Sequence, residues 1–349
     1  MATSTIAPRL RVLIASPLEA HQVDRIAAAD PERLEVMYAP DLLPVARYGG
    51  DHGGTPRDLD EQQRARWRDL VARADVSFDF DWDRPQALPE SAPNLRWIQA
   101  TSAGIGEHVR RLDLPRDSIL LTTAAGVHAQ PLAEFALLGA LYLAKDVPML
   151  RQWQAEHRWD RFCGRELARS RALIIGMGSI GRRIAELLHA VGVEVIGQRR
   201  SSHADIPAGV TRMITQGQLD AELANVDYLI VAAPGTPETR HLIDKRRLAL
   251  LPSSAVLINV GRGSIVDEAA MVRALQVGRL RGAALDVFER EPLPDDSPLW
   301  TMPNVLMSPH SASTVEQENE RIVDLFIENL RRYLDGQPLL NQFHYDRQY

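Results

Sequence analysis

The chain has 349 residues, 45% of them hydrophobic and 25% charged, which is enough for two domains with separate cores. Its net charge is −6 and it has no dense Lys/Arg tract, so neither nucleic acid nor an anionic membrane is expected as a partner. No apolar run approaches the roughly 18 residues of a membrane span, and no signal-peptide core is visible. The lone Cys163 excludes an internal disulfide, and the expected location is the cytoplasm.

Arg11–Ala15 reads as a short buried strand, followed by a helix over about 18–29 and a strand at Leu34–Tyr38. Residues 40–58, rich in Pro, Gly and Asp, read as a long loop. A helix over 60–73 and strands at Val76–Phe80 and Leu95–Gln99 continue the alternation, which implies an α/β fold with a parallel sheet covered on both faces. A second βα series is expected from about Ile119. It has a strand at Ala172–Ile175 and a buried helical stripe of Ile180, Ile184, Leu187, Leu188 and Val191. Further strands follow at Val193–Ile196, Tyr228–Val231, Ala255–Val260, Ala283–Val287 and Val305–Met307. From Thr314 to Asp335, residues Val315, Ile322, Leu325, Phe326 and Tyr333 share one helical face, and Gly336 is a C-terminal stop. A final helix of that length can fold back on the N-terminal half.

The strongest local signal is Leu173-Ile-Ile-Gly176-Met-Gly178-Ser179-Ile180-Gly181, which leaves an apolar strand and opens an amphipathic helix. Gly176 permits the tight turn, Gly178 lets a pyrophosphate approach the backbone, and Gly181 lets helix and strand pack closely. Ser179 and Ile180 offer the N–H groups of a helix N-terminus to phosphate. An NAD site would carry an acid at the tip of the next strand, about 20 residues on. That tip reads Gly197-Gln198-Arg199-Arg200-Ser201-Ser202, with no carboxylate between Val195 and His203; Glu194 lies within the strand. Guanidiniums and hydroxyls suit a 2′-phosphate, so NADP(H) is the expected cofactor, with NAD(H) possible. A solvated basic turn is the plain alternative, since Lys occurs only at 145 and 245 and Arg supplies nearly all positive charge. The expected fold is two Rossmann-like or flavodoxin-like domains. Residues 121–313 form the dinucleotide domain, inserted into a discontinuous substrate-binding domain of 1–120 plus 314–349. No metal is expected.

Three later segments carry reactive side chains: Ile258-Asn-Val-Gly-Arg262-Gly-Ser-Ile-Val-Asp267-Glu, Leu285-Asp286-Val-Phe-Glu289-Arg-Glu291-Pro and Ser308-Pro-His310-Ser-Ala-Ser313. Hydride transfer to a keto carbon leaves an alkoxide that must gain a proton, and His is matched to that task near neutral pH. A carboxylate on the other ring nitrogen stabilises the imidazolium, and Arg can clamp a substrate carboxylate in bidentate fashion. Each candidate follows an expected strand, where an open α/β sheet binds its ligands. Glu289 competes with Glu291 for the carboxylate role, and Asp267 is more simply a helix N-cap.

Together with the glycine fingerprint and their order, these segments resemble the D-2-hydroxyacid dehydrogenase family over essentially the whole chain. The resemblance implies His310 as acid/base, Glu291 as its partner and Arg262 as substrate clamp. It also implies cofactor contacts at Ala233, Pro234, Thr239, Val260, Gly261, Asp286 and Ser313, with Asp286 on the nicotinamide carboxamide; for Thr239 the alternative is a turn cap. Thr101-Ser-Ala103-Gly104-Ile-Gly106 resembles the loop whose N–H groups hold the substrate carboxylate, although many relatives have Asp near Gly106. His128 is either a ligand contact or structural, and Tyr48, Phe80 and Trp82 are either pocket or packing residues. The implied partners are a small 2-keto or 2-hydroxy acid and a second copy of the chain in a homodimer. Narrower readings are glyoxylate/hydroxypyruvate reduction and phosphoglycerate oxidation, the latter often tied to regulatory modules for which this chain has no length. Formate dehydrogenases differ around the catalytic His. A different class is a corepressor-like scaffold that senses NAD(H).

Overall fold

The computed structural model describes residues 9–116, 118–200 and 206–346. The chain forms two compact units, residues 1–128 with 314–349 and residues 129–313.

In the first unit, β1 (Leu10–Ile14) leads through α1 (Ala20–Ala28) to β2 (Leu34–Met37), and α2 (Glu61–Arg73) to β3 (Val76–Phe78). Strand β4 (Trp97–Gln99), α3 (Gly106–Leu112) and β5 (Leu120–Thr122) follow. Among the described residues the strands make one parallel sheet in the order β2-β1-β3-β4-β5. Strands buried on both faces read as unbroken apolar runs, as Val12, Leu13 and Ile14 do. Helix α2 starts on a capping box: Asp60 accepts the Gln63 N–H (2.8 Å) and Gln63 Oε1 accepts the Asp60 N–H (2.9 Å).

The unit runs to His128, past the expected boundary at 120. Leu121 and Thr122, read as the start of the second series, pair in parallel with Ile98 and Gln99 of β4. The returning chain covers this strand, with Phe343 N–H donating to Leu121 O at 2.8 Å. The final helix, α10 (Glu318–Leu334), begins after a turn at 316–317, later than its expected start at Thr314. Phe326 lies 5.2 Å from Phe78 and 5.3 Å from Trp97, centroid to centroid, and Asn329 Nδ2 donates to Gln99 Oε1 (3.0 Å). Gly336, at φ 65°, ends the helix as expected.

The second unit opens with α4 (Ala129–Ala144) and α5 (Val147–Ala155). It continues through β6 (Arg171–Ile175), α6 (Ser179–Ala190), β7 (Glu194–Gln198), β8 (Arg212–Ile214), α7 (Leu219–Leu223) and β9 (Tyr228–Val231). Then come α8 (Lys245–Leu250), β10 (Val256–Asn259), α9 (Glu268–Gln276), β11 (Gly282–Leu285) and β12 (Val305–Met307). Among the described residues the sheet is again all parallel, in the order β12-β11-β10-β9-β6-β7-β8. The buried face of α6 carries Gly181, Ile184, Ala185 and Leu188; Val191 lies past the helix end and is exposed. Strand order reverses between β6 and β9, and ligands of open α/β sheets bind at the carboxyl ends beside such a switch. Among the described residues no helix is long and apolar enough to cross a membrane.

Candidate active site

Three neighbouring strands of the second unit end on turns that carry the reactive side chains. Arg262 follows β10, Asp286 and Glu291 follow β11, and His310 follows β12. His310 Nδ1 and Glu291 Oε2 are 2.8 Å apart, and Glu291 Oε1 accepts the Phe288 N–H at 3.0 Å. Burial pushes the Glu291 carboxyl up. The bonds from His310 and Phe288, with the charge of Arg262, outweigh that and hold it below the usual carboxylate range. With Nδ1 engaged, Nε2 is the ring atom left to exchange a proton with a substrate.

His310 sits at φ 53°, a left-handed conformation that costs a non-glycine residue about 1–3 kcal/mol. Its own N–H donates to Asp286 O (2.8 Å), and the Ser311 and Ala312 N–H groups both donate to Asp286 Oδ1 (2.9 Å each). Buried Asp286, assigned by resemblance to the nicotinamide carboxamide, therefore holds the histidine turn with one of its oxygens. Glu289 is separated from Glu291: it bonds His241 Nε2 at 2.7 Å, with Arg240 at 3.5 Å. Asp267 accepts the Ala270 N–H (2.9 Å) and caps α9. Asn259, to which no role attaches in the sequence, fixes the Arg262 turn. It accepts the Gly261 N–H and donates to Arg262 O, both at 3.1 Å.

The fingerprint lies at the β6–α6 junction. Gly176 has φ 94°, and a Cβ there would stand 2.6 Å from the Ala233 backbone; one on Gly181 would stand 2.0 Å from Gly176 O. A Cβ on Gly178 would meet nothing within 4 Å, so open space lies before the helix end. The first intrahelical bond runs from Arg182 N–H to Gly178 O, which leaves Ser179, Ile180 and Gly181 to present the opening N–H groups of α6. Those donors, the positive dipole end and the space before Gly178 fit a dinucleotide pyrophosphate. The strand succession β7, β6, β9, β10, β11 spans four inter-strand spacings, about 19 Å at ~4.8 Å each, so the two ends of a dinucleotide would address different strands. Glu194 is the first residue of β7 and pairs with Arg171 (3.1 Å), at the end of the strand away from its tip.

The family model of the D-isomer specific 2-hydroxyacid dehydrogenase NAD binding domain matches residues 137–312. The chain belongs to the D-isomer specific 2-hydroxyacid dehydrogenase family. It is an NAD(P)-dependent oxidoreductase acting on a CH–OH group. A glyoxylate reductase of Aeropyrum pernix is 33% identical over 79% of this chain and 86% of its own length. A glyoxylate/hydroxypyruvate reductase B of Serratia proteamaculans is 33% identical over 81% of this chain and 87% of its own. The crystal structure of a family member from Xanthobacter autotrophicus, in complex with NADPH and MES, superposes with a TM-score of 0.78 at 33% identity, covering 98% of this chain and all of that one.

The remaining candidates of this dehydrogenase are located in each unit as follows. In the second, Ala233 follows β9 and lies against Gly176 and Gly261, Val260 bonds Val231 O through its N–H (3.0 Å), and Ser313 closes the unit. Thr239 Oγ1 donates to Pro234 O and accepts the Thr236 N–H, both at 2.8 Å, so its hydroxyl ties the 234–239 turn. Half-buried Arg199 and exposed Arg200 follow β7, while Ser201 lies outside the described residues. In the first unit, half-buried Ala103 and exposed Gly104 lie in the loop from β4 to α3, where Thr101 Oγ1 donates to Asp79 Oδ2 (2.8 Å). His128 is buried and bonds Glu318 at 3.0 Å; Phe80 is core, Trp82 packs on Trp67, and Tyr48 is exposed under Arg47.

Proposed function

We propose that this dehydrogenase is an NADPH-preferring reductase of small 2-keto acids of the glyoxylate and hydroxypyruvate kind. The second unit would hold the nucleotide and the first would contribute to substrate binding. The His310–Glu291 pair beside Arg262 is the observation that carries the reading. When bound, the cofactor supplies or accepts hydride at the substrate C2. The His310 imidazolium gives its Nε2 proton to the oxygen that becomes the hydroxyl, and takes it back in the reverse direction. Glu291 orients the ring and favours its charged form. Arg262 clamps the substrate carboxylate; in the first unit, the backbone N–H groups at Ala103 and Gly104 would be that unit's own contribution to binding an acid.

Gly176, Gly178, Ser179, Ile180 and Gly181 would hold the pyrophosphate. Ala233, Pro234, Thr239, Val260, Gly261, Asp286 and Ser313 would line the nicotinamide half. Arg199, Arg200 and Ser201 would take the 2′-phosphate, a preference supported by the missing acid at the β7 tip and by the NADPH-bound relative from Xanthobacter autotrophicus. NAD(H) would be the weaker cofactor.

A second copy would cover the apolar face of α4, α5 and the segment after them, where Leu138 is 51% and Trp159 97% exposed alongside Leu150 and Phe162. Exposed apolar side chains gathered along one segment suit burial against a second copy across a two-fold axis. The single exposed Cys163 suits a reducing cytoplasm.

The test is NADPH and NADH consumption with a panel of 2-keto acids, beside His310→Gln. We expect turnover of glyoxylate or hydroxypyruvate with NADPH, and a loss of about 10²–10⁴-fold in the variant with cofactor binding retained. Wild-type rates in His310→Gln, or cofactor binding without turnover across the panel, would end the proposal.

A further inference from the structure

A third carboxylate stands behind the reacting pair, on a different element. Glu268 is the first residue of α9, and its Oε2 accepts the N–H of Glu289 at 2.8 Å. The preceding N–H, that of Phe288, is the one accepted by Glu291. Two consecutive amides of one turn are thus held by two carboxylates, only one of which belongs to the turn itself. Backbone packing closes the same spot. A Cβ on Gly263 would stand 1.9 Å from Phe288 C and O and 2.5 Å from Glu289 N, so the residue after Arg262 must be glycine for the two turns to meet. The turn that carries Glu291 is pinned where the Arg262 turn touches it, and Glu268 makes the polar half of that joint.

Support of its own helix does not account for Glu268. An acid in a first turn helps a helix modestly, but α9 is already capped by the Asp267 side chain. Glu268 is instead half-buried against other acids. Burial pushes its carboxyl up, the Glu289 N–H opposes this, and the charges of Glu289 and Glu291 add to the rise. Facing it from the turn after β11 are Glu289 and Glu291. Glu289 is partnered by His241 and Arg240, Glu291 by His310 with Arg262 near, and Asp267 on its own helix is turned to the Ala270 N–H.

We propose that Glu268 is a positioning residue of the reacting centre: it fixes the 288–289 peptide so that Glu291 meets His310, and its charge adds to that of Glu291 in favouring the imidazolium. This rests on the assignment of His310 and Glu291 above. Glu268→Gln keeps an acceptor for the Glu289 N–H and removes the charge; Glu268→Ala removes both. The readouts are kcat/KM for keto-acid reduction with NADPH from about pH 5 to pH 9, NADPH Kd and Tm, in the full chain. In Glu268→Gln the basic limb should move to lower pH, with kcat/KM near pH 8 falling roughly three- to tenfold, since a tenfold change corresponds to one pH unit along that limb. Glu268→Ala should also lose about tenfold in kcat across the range, with NADPH Kd within about twofold, because the turn loses its anchor.

Unchanged pH profiles in both variants, whatever their Tm, would overturn the proposal and leave Glu268 as a helix-end acid. Should Glu268→Ala not fold, the Glu268→Gln profile decides alone. A wild-type profile whose basic limb survives His310→Gln with rate intact would instead remove His310 and, with it, this proposal.

Discussion

Replacing Glu291 by Gln tests the reacting pair most directly. The carboxylate has two partners, the His310 ring at 2.8 Å and the Phe288 N–H at 3.0 Å, and both donate to it when the ring is charged. Gln has a single acceptor oxygen, so one donor must face its NH₂ group. Two unit charges about 4 Å apart interact by ~1 kcal/mol in water and ~4 kcal/mol at the effective dielectric of a protein surface. The His310 and Glu291 side chains are 43% and 37% exposed, which places the pair toward the lower figure. A loss of about 1–2 kcal/mol is a factor of about 5–30 in an equilibrium constant. The sign follows from the chemistry. Reduction needs the imidazolium, so activity falls as pH rises, and destabilising that form moves the fall to lower pH. The glutamate itself does not shape this limb. Its carboxyl is held below the usual range, so its charge is present above the ordinary carboxylate pKa and is lost only as pH drops through the depressed value. The assay is kcat/KM for NADPH-dependent glyoxylate reduction across pH for wild type, Glu291→Gln and Glu289→Gln. An unmoved limb in Glu291→Gln, or a shift in Glu289→Gln instead, would refute the pairing.

Arg199→Asp, alone or with Arg200→Ala, should cost NADPH one charge-assisted contact worth about 1.5–3 kcal/mol, or roughly ten- to more than a hundredfold in kcat/KM, with NADH much less affected. A wild type that prefers NADH would dismiss the phosphate pocket and leave the dehydrogenase standing. Arg262→Lys should raise KM for the keto acid and lower kcat without removing activity, because an ammonium cannot form two parallel bonds to a carboxylate; unaltered constants would release Arg262 from the clamp role. Phe326→Ala should destabilise the first unit by about 3–5 kcal/mol, read by denaturant unfolding, since the ring is fully buried between Phe78 and Trp97. A cost under about 1 kcal/mol would mean that α10 is not an essential wall of that core.

Much of the candidate site was legible because its side chains sit within a few residues of strand ends. Gly176, Arg262, Glu291 and His310 each follow an apolar run, and parallel strands set all their carboxyl ends on one edge of the sheet. Helix α10 was legible for the same local reason, a 3.6-residue apolar stripe closed by Gly336. Helix α4 gave no such stripe. Its run Ala-Gln-Pro-Leu-Ala-Glu-Phe-Ala-Leu-Leu-Gly-Ala-Leu-Tyr-Leu-Ala is apolar on nearly every side, with Leu132, Ala136 and Leu143 buried and Leu138 and Leu141 exposed. Sequence order alone sets strand β5 in the wrong series, because sheet partners are not written in that order: Leu121 pairs with Ile98 and is covered by Phe343.

What local pattern could not supply is the support behind each reactive group. Asp286 holds the His310 turn from the neighbouring strand, Asn259 holds the Arg262 turn, and Glu268 reaches the Glu289 amide from the start of a helix. All three are polar residues inside the conspicuous motifs, but nothing in the motifs says which backbone groups they hold. Their necessity shows only in the backbone. A histidine at φ 53° is a strained conformation that its hydrogen bonds help to hold, and two turns packed as closely as Gly263 allows fix where their amides must find partners. The left-handed histidine turn is therefore sustained by its N–H groups bonding to Asp286. Substitution at Asp286 should for that reason affect both the geometry of His310 and the cofactor half of the site, and a loss of activity there would not by itself assign it to the nicotinamide.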